Sequence, residues 1–324
     1  MTFEELLERA RAFQESRVLL TAIELDVFSA VGDGATASQV AGRIGADPRA
    51  TEMLLNALAA IGALAKRENI FYNTPATAEH LAGPGSQRAG LMHTVNLWER
   101  WSTLTAAVRA GTAVWRRRQD VSETEWTEAF IAAMHRNALL RAPEVIKAID
   151  ARNVRRLLDV GGGSGAYSIA FAREYPQLEA EILDRPQVLP LALGYIREAG
   201  LEGRIRVRAG DLRADQFGTG YDLVLVFAIC HMLSPEENRD LFRRIFSALA
   251  PGGRVAVQDF ILNADKTAPR EGALFSLNML VGTEAGASYS ELEYRAWLEQ
   301  AGFREIRMVS LEKAPSSLML AVRP

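Results

Sequence analysis

Leu157-Leu158-Asp159-Val160 runs straight into Gly161-Gly162-Gly163-Ser164-Gly165, and the pattern Tyr167–Tyr175 follows. Apolar run, glycine loop and amphipathic stretch read as strand, tight turn and helix. Glycines let a ligand approach the backbone closely. This unit opens a doubly wound α/β fold, in which ligands bind beyond the carboxyl ends of the strands. Two further strand ends carry acids. Ala180–Leu183 runs into Asp184 and Arg185, and Ile205–Arg208 runs into Gly210-Asp211-Leu212. Carboxylates there suit the ribose hydroxyls and the amino group of a nucleoside.

The loop alone is ambiguous, because Gly161, Gly163 and Ala166 also satisfy the G-x-G-x-x-A form of a dinucleotide site. Two acids favour S-adenosylmethionine over NAD. Asp159, just ahead of the loop, would repel a pyrophosphate but suits an ammonium group. Asp211 suits the adenine amino group, and no phosphate needs it.

A base is also present. Of the four histidines (His80, His93, His135, His231), His231 sits at the carboxyl end of the fourth strand, Tyr221–Phe227. Asp259 lies near the end of the fifth, Arg254–Phe260. A carboxylate on one imidazole nitrogen fixes the tautomer and frees the other nitrogen to accept a proton. An ordinary His near pKa 6.5 suits removal of a proton from a phenol near pKa 10. A structural His at a strand end is the competing reading of the same position. If the strand persists, Cys230 points away from His231 and belongs to the core. A Cys–His nucleophile is therefore not expected. No cluster of oxygen ligands suggests a metal site.

Two apolar faces stand ready to hold a flat acceptor. Trp126, Phe130, Met134 and Asn137 share one helix face, with His135 beside it. Leu274, Phe275, Asn278 and Met279 form the other, and methionine packs well on flat rings. Core packing would produce the same spacing.

The remaining elements must position these groups. Pro235–Leu249 reads as a helix with Ser234 and Glu237 as its capping box. Pro251-Gly252-Gly253 reads as a turn, Glu291–Gln300 as a helix ended by Gly302, and Arg304–Leu311 with Ser317–Val322 as a hairpin around Pro315. Helical periodicity dominates before residue 150. Residues 4–31 form one or two amphipathic helices. Thr36 and Gln39 cap the next helix, and Asp47-Pro48 starts another that runs to about Ile61. Leu64–Arg67 and Ile70–Tyr72 form a hairpin with Glu68-Asn69 at its tip. Helix, helix and hairpin outline a winged helix. Between Asp33 and His80, however, four basic residues face five acidic ones. A DNA reader needs a positive face, so packing or dimerisation is the better reading. The basic run Trp115-Arg116-Arg117-Arg118 reads as a solvated helix end or loop.

Composition agrees. The chain has 324 residues, 48% hydrophobic and 24% charged, with a formal charge of -3. These values exclude disorder and show no sign of nucleic-acid binding. One cysteine excludes an internal disulfide and a multi-cysteine zinc site. No basic, apolar leader and no membrane-length apolar run appears, so a soluble, cytoplasmic protein is expected. Three regions are expected: residues 1–105 for dimerisation, 106–150 as linking helices that contribute to the acceptor pocket, and 151–324 for the cofactor.

LLDVGGGSG, LDRP at Asp184, GDL at Asp211, AICHMLSPEE and LAPGGRVAVQD, in this order, resemble the plant-type class I O-methyltransferases. That family includes caffeic acid and acetylserotonin O-methyltransferases and bacterial polyketide O-methyltransferases. The resemblance covers nearly the whole chain. It implies a Rossmann-like methyltransferase sheet with an N-terminal helical, winged-helix-like dimerisation domain. It also implies a homodimer that uses S-adenosyl-L-methionine on a hydroxyl of a small aromatic or polyketide-like molecule. His231 falls at the catalytic base and Asp259 at its orienting acid, usually a Glu. Gly161, Gly163, Asp184, Arg185, Asp211, Leu212 and Phe227 fall on the cofactor side. Phe130, Met134, Phe275, Asn278 and Met279 are the candidate acceptor contacts. Three positions depart from the family pattern. Ser288 replaces a helper acid, Phe227 replaces a residue that is often basic, and Met232-Leu233 replaces Asp-Trp. A diverged member with other chemistry, a winged-helix regulator and an NAD-dependent dehydrogenase remain as alternatives.

Overall fold

The computed structural model describes residues 1–83, 85–116, 123–312 and 316–324. Arg117, Arg118 and Pro315, and the side chain of Trp126, lie outside what is described. The chain divides into two compact units, Met1–Glu99 and Arg100–Pro324.

The first unit holds α1 (Phe3–Arg11), α2 (Phe13–Glu24), α3 (Val27–Val31), β1 (Ala35–Thr36), α4 (Ala37–Ile44), α5 (Pro48–Ala60), β2 (Leu64–Arg67), β3 (Ile70–Asn73), α6 (Pro75–His80) and most of α7 (Arg88–Trp101). The expected caps are present. Thr36 and Gln39 form a reciprocal capping box, and Asp47 caps α5 with Pro48 in its first turn. The hairpin β2–β3 is joined by β1 into a three-stranded sheet, β1-β3-β2. Phe28, Val31, Val40, Leu55, Leu58 and Phe71 fill its core.

The second unit continues with α8 (Leu104–Ala110), α9 (Glu123–Ile149), β4 (Arg156–Val160), α10 (Ala166–Glu174), β5 (Glu179–Asp184), α11 (Leu189–Glu198), β6 (Ile205–Ala209), β7 (Tyr221–Phe227), α12 (Pro235–Ala248), β8 (Leu249–Asp259), α13 (Arg270–Gly282), α14 (Glu291–Ala301), β9 (Arg304–Ser310) and β10 (Ser317–Val322). The sheet order is β6-β5-β4-β7-β8-β10-β9. Strands β4 to β8 are parallel, and β10 runs antiparallel to both β8 and β9. The order reverses between β4 and β7, which opens a crevice at their carboxyl ends.

Period-two alternation splits the apolar strand residues between two layers. Leu158, Val224, Val226 and Val257 pack with Phe242, Ile245, Trp297 and Leu298. Leu157, Leu223, Leu225 and Ala256 pack with Val145, Ile149, Ile169 and Phe171. Both faces are covered, so β7 is a nearly unbroken apolar run.

One local reading is corrected. Pro251-Gly252-Gly253 is a bulge inside β8: pairing jumps from Tyr221–Leu249 to Leu223–Arg254, and Gly252 and Gly253 bond the backbone of Arg323. The fourth strand spans Tyr221–Phe227 as read and does not persist to Cys230. Ala228 takes a left-handed conformation (φ 57°), and Cys230–Met232 forms a 3₁₀ turn. Strand alternation therefore does not orient Cys230 and His231. Both are nonetheless buried.

Asn238 of α12 is fully buried and holds this turn. Its amide donates to the carbonyls of Cys230 (3.0 Å), Leu233 (3.4 Å) and Ser234 (3.1 Å). The Tyr289 hydroxyl also donates to the Leu233 carbonyl. Replacing Asn238 with Ala removes the buried side-chain donor that ties these three carbonyls to α12. It is expected to lower stability by about 1–3 kcal/mol, read as a lower denaturant midpoint with an unchanged slope.

Asp159 at the end of β4 is buried and accepts a 2.7 Å bond from the Ser168 hydroxyl of α10. Burial pushes its carboxyl up to about 7, against the pull of that bond. A raised folded pKa makes the folded state hold a proton that the unfolded chain releases near pH 4, so stability falls as pH rises from about 4 to 7. Asp159→Asn removes this contribution. The melting-temperature gap between D159N and wild type is expected to grow in favour of D159N over that interval and flatten above it. A gap independent of pH would contradict a buried neutral acid.

Candidate active site

The glycine loop closes the carboxyl end of β4. Gly161 has φ 68°, and a Cβ there would overlap Ile229 Cδ1 just before the 3₁₀ turn. Any other residue would be strained and would displace that segment. The Gly163 N–H donates to Asp184 Oδ2 at 2.8 Å, and the Arg185 N–H donates to Oδ1 at 2.7 Å. Two backbone donors thus aim the Asp184 carboxylate along the loop. Burial raises its pKa, and these two bonds oppose the rise.

Asp211 lies on an exposed turn, where its Oδ1 accepts from the Arg213 N–H at 2.8 Å. Leu212 is half-buried near Gly161, and its carbonyl accepts from Arg244 at 2.7 Å. Arg185 is exposed. Phe227 is buried, with its ring edge-on to Tyr167 at 4.7 Å. Asp159 corrects the expectation placed on it: its carboxylate is buried against Ser168, so it is not an open partner for an ammonium group.

This donor set fits S-adenosylmethionine. Gly161 and Gly163 add no side chain of their own to the loop. Asp184 and Asp211 offer acceptors for hydroxyl and amino groups, and Leu212 supplies an apolar surface. Among the described residues, no group of three or more His, Cys, Asp or Glu side chains is arranged to hold a metal ion.

His231 and Asp259 meet beside the loop. His231 Nδ1 lies 2.7 Å from Asp259 Oδ1, and the His231 backbone N–H donates to Oδ2 at 3.1 Å. Asp259 is 2% exposed, so the pair is shielded from water. A carboxylate only accepts hydrogen bonds, so Nδ1 carries a proton and Nε2 is the ring nitrogen not engaged by Asp259. Phe275 of α13 stands edge-on to the imidazole at 4.9 Å and stacks on Phe260 at 4.0 Å. Gly286 allows the chain after α13 to close on the turn, since a Cβ there would overlap the His231 carbonyl.

On α13, Met279 is buried and Asn278 is half-buried. Asn278 Oδ1 accepts from the Trp101 indole at 3.1 Å, which directs its amide N–H groups away from Trp101. Phe130 and Met134 lie one turn apart on α9, and both are half-buried. Among the described residues of that helix, the buried ones are Thr127, Ile131, Ala133, Ala142, Val145 and Ile149.

Five contacts, made by four residues, were not read from the sequence. His135 Nδ1 bonds Ser164 Oγ of the glycine loop at 2.8 Å, and its ring stacks on Tyr195 at 3.8 Å. Phe260 and Trp101 hold Phe275 and Asn278 as above. Tyr294 of α14 donates to Asp259 Oδ2 at 3.1 Å. Each joins residues distant in sequence. Only the proximity of His135 to the Phe130–Met134 face gave any signal. Ser288 is buried, and its Oγ has no partner among the described residues.

A family model described as an O-methyltransferase domain matches residues 101–304, and one described as an O-methyltransferase dimerisation domain matches residues 7–83. The 3-hydroxy-5-methyl-1-naphthoate 3-O-methyltransferase of Streptomyces sahachiroi is 35% identical, over 94% of this chain and 90% of that protein. The L-tyrosine C(3)-methyltransferase of Streptomyces lavendulae is 32% identical, over 92% of this chain and 85% of that protein. The S-adenosyl-L-methionine-dependent methyl transferase PigF of Serratia, solved with SAH, superposes with a TM-score of 0.89 at 28% identity, covering 99% of this chain and 100% of that one. The chain belongs to the O-methyltransferase family, with S-adenosyl-L-methionine as its cofactor.

Proposed function

We propose that the enzyme methylates a hydroxyl of a small aromatic or polyketide-like molecule, with His231 as general base and Asp259 as its orienting group. The observation that carries this reading is the buried 2.7 Å His231–Asp259 bond beside the glycine loop. S-adenosyl-L-methionine, when bound, supplies an activated methyl group. The protein must align the acceptor and remove its proton. Nε2 of His231, free of the Asp259 bond, takes that proton, and Asp259 stabilises the resulting imidazolium. Alignment converts an encounter into an in-line reaction. Gly161, Gly163, Asp184, Arg185, Asp211, Leu212 and Phe227 hold the cofactor. Phe130, Met134, Phe275, Asn278 and Met279 line the acceptor site, where Phe275 presents a ring beside the base. The naphthoate substrate named for the Streptomyces sahachiroi relative supports an aromatic acceptor.

The N-terminal region serves a homodimer. Helix α1 buries none of its residues, and Phe3, Leu6 and Leu7 are exposed along it. A second copy would remove that apolar face from water. The local excess of acids argues that the helix–helix–hairpin outline serves packing rather than DNA.

His231→Gln is expected to lower turnover of a cognate phenol by about 10²–10⁴-fold, while stabilisation by S-adenosylhomocysteine is retained. Full activity of H231Q would refute the base assignment. Mass spectrometry with labelled cofactor should show a product whose phenol is capped; a product with a free phenol would place the methyl on carbon. Sedimentation velocity at micromolar concentration is expected to give a dimer, and a monomer would refute the interface.

A further inference from the structure

Four hydrogen bonds converge on the Asp259 carboxylate. Oδ1 accepts from His231 Nδ1 at 2.7 Å and from the Phe260 backbone N–H at 2.8 Å. Oδ2 accepts from the His231 backbone N–H at 3.1 Å and from the Tyr294 hydroxyl at 3.1 Å. Three of these come from His231 itself or from the residue next to Asp259. The fourth comes from α14, on the far side of the acid from the imidazole in sequence.

Tyr294 is fully buried, and its ring is pinned by edge contacts to Tyr289 at 6.3 Å and Trp297 at 5.4 Å. Packing alone would be served equally by phenylalanine. A hydroxyl in the core costs free energy unless it is hydrogen-bonded, and its charged partner here is Asp259. The Cys230 thiol also neighbours this hydroxyl. Burial drives the phenol well above its ordinary range, so it remains a protonated donor.

We propose that Tyr294 is a positioning residue of the dyad, holding Oδ2 of Asp259 and thereby setting the orientation and basicity of His231. This rests on the reading of His231 as the base. The donor spreads the carboxylate's charge. Without it, Asp259 attracts the imidazolium more strongly and His231 holds its proton to higher pH. The titratable groups around Asp259 are His231 and Cys230 on the turn, Tyr294 on α14 and, more distantly, Tyr289. Burial raises the pKa of the thiol and of both phenols, so all three stay protonated through neutral pH. Phe275 covers the imidazole from α13 and carries no charge.

The test is the imidazole titration in the full-length protein with isotope-labelled histidine, which needs no acceptor. Four residues contribute signals, and the His231 signal is the one lost in H231Q. Tyr294→Phe is expected to raise the His231 midpoint by about half a pH unit or more, with the acid limb of turnover moving the same way. In an Asp259→Asn background, Tyr294→Phe should add no further shift, because the hydroxyl acts through that carboxylate. Should Y294F fail to fold, 3-fluorotyrosine at position 294, a stronger donor, should lower the midpoint instead. An unchanged midpoint in either variant overturns the proposal. Full activity of H231Q with a shifted Y294F midpoint would instead remove the base reading and leave Tyr294 tuning a structural histidine.

Discussion

A buried carboxylate is costly unless its charge is met by donors on every side, and Asp259 is met. Backbone N–H groups from two segments, an imidazole and a phenol surround it. Each donor demands a particular arrangement. Strand β8 must end at Asp259, the chain after β7 must turn back through a left-handed Ala228, and α14 must present Tyr294 inward. The loop after β7 is in turn held from α12 by Asn238. One charge in a dry place therefore ties together the central strands, two helices and the His231 imidazole.

Three acids near strand ends have three environments. Asp159 is sealed under the glycine loop, and burial brings its carboxyl to about 7. Asp184 is turned into the loop by two backbone N–H groups and still has lone pairs to offer. Asp259 is buried but fully bonded. The side chain is the same, and its burial and the number of donors around it decide how far its charge is met. The departures from the family pattern follow the same logic. Ser288 brings a neutral hydroxyl rather than a second charge into the buried region after α13, and Phe227 joins the apolar layer beside Tyr167 rather than extending a cation.

Much of this was legible in the chain. Repeating local signals placed the strands, the glycine loop and the capped helices, because hydrophobic period, glycine and proline act over a few residues. Ser234 with Glu237 and Thr36 with Gln39 are such signals, and both caps formed as read. His231 and Asp259 were legible as a pair because both belong near the ends of strands that a parallel sheet makes neighbours.

The path of the chain beyond β7, the sealing of Asp159 and the contacts of Tyr294, His135 and Trp101 were decided only by tertiary structure. Tyr294 lies 35 residues from Asp259, and Trp101 lies 177 residues from Asn278. No periodicity links such partners. Residue types and spacing determined the elements and the chemistry available at their ends. Close packing of those elements, together with the need to pair each buried polar group, determined which side chains meet.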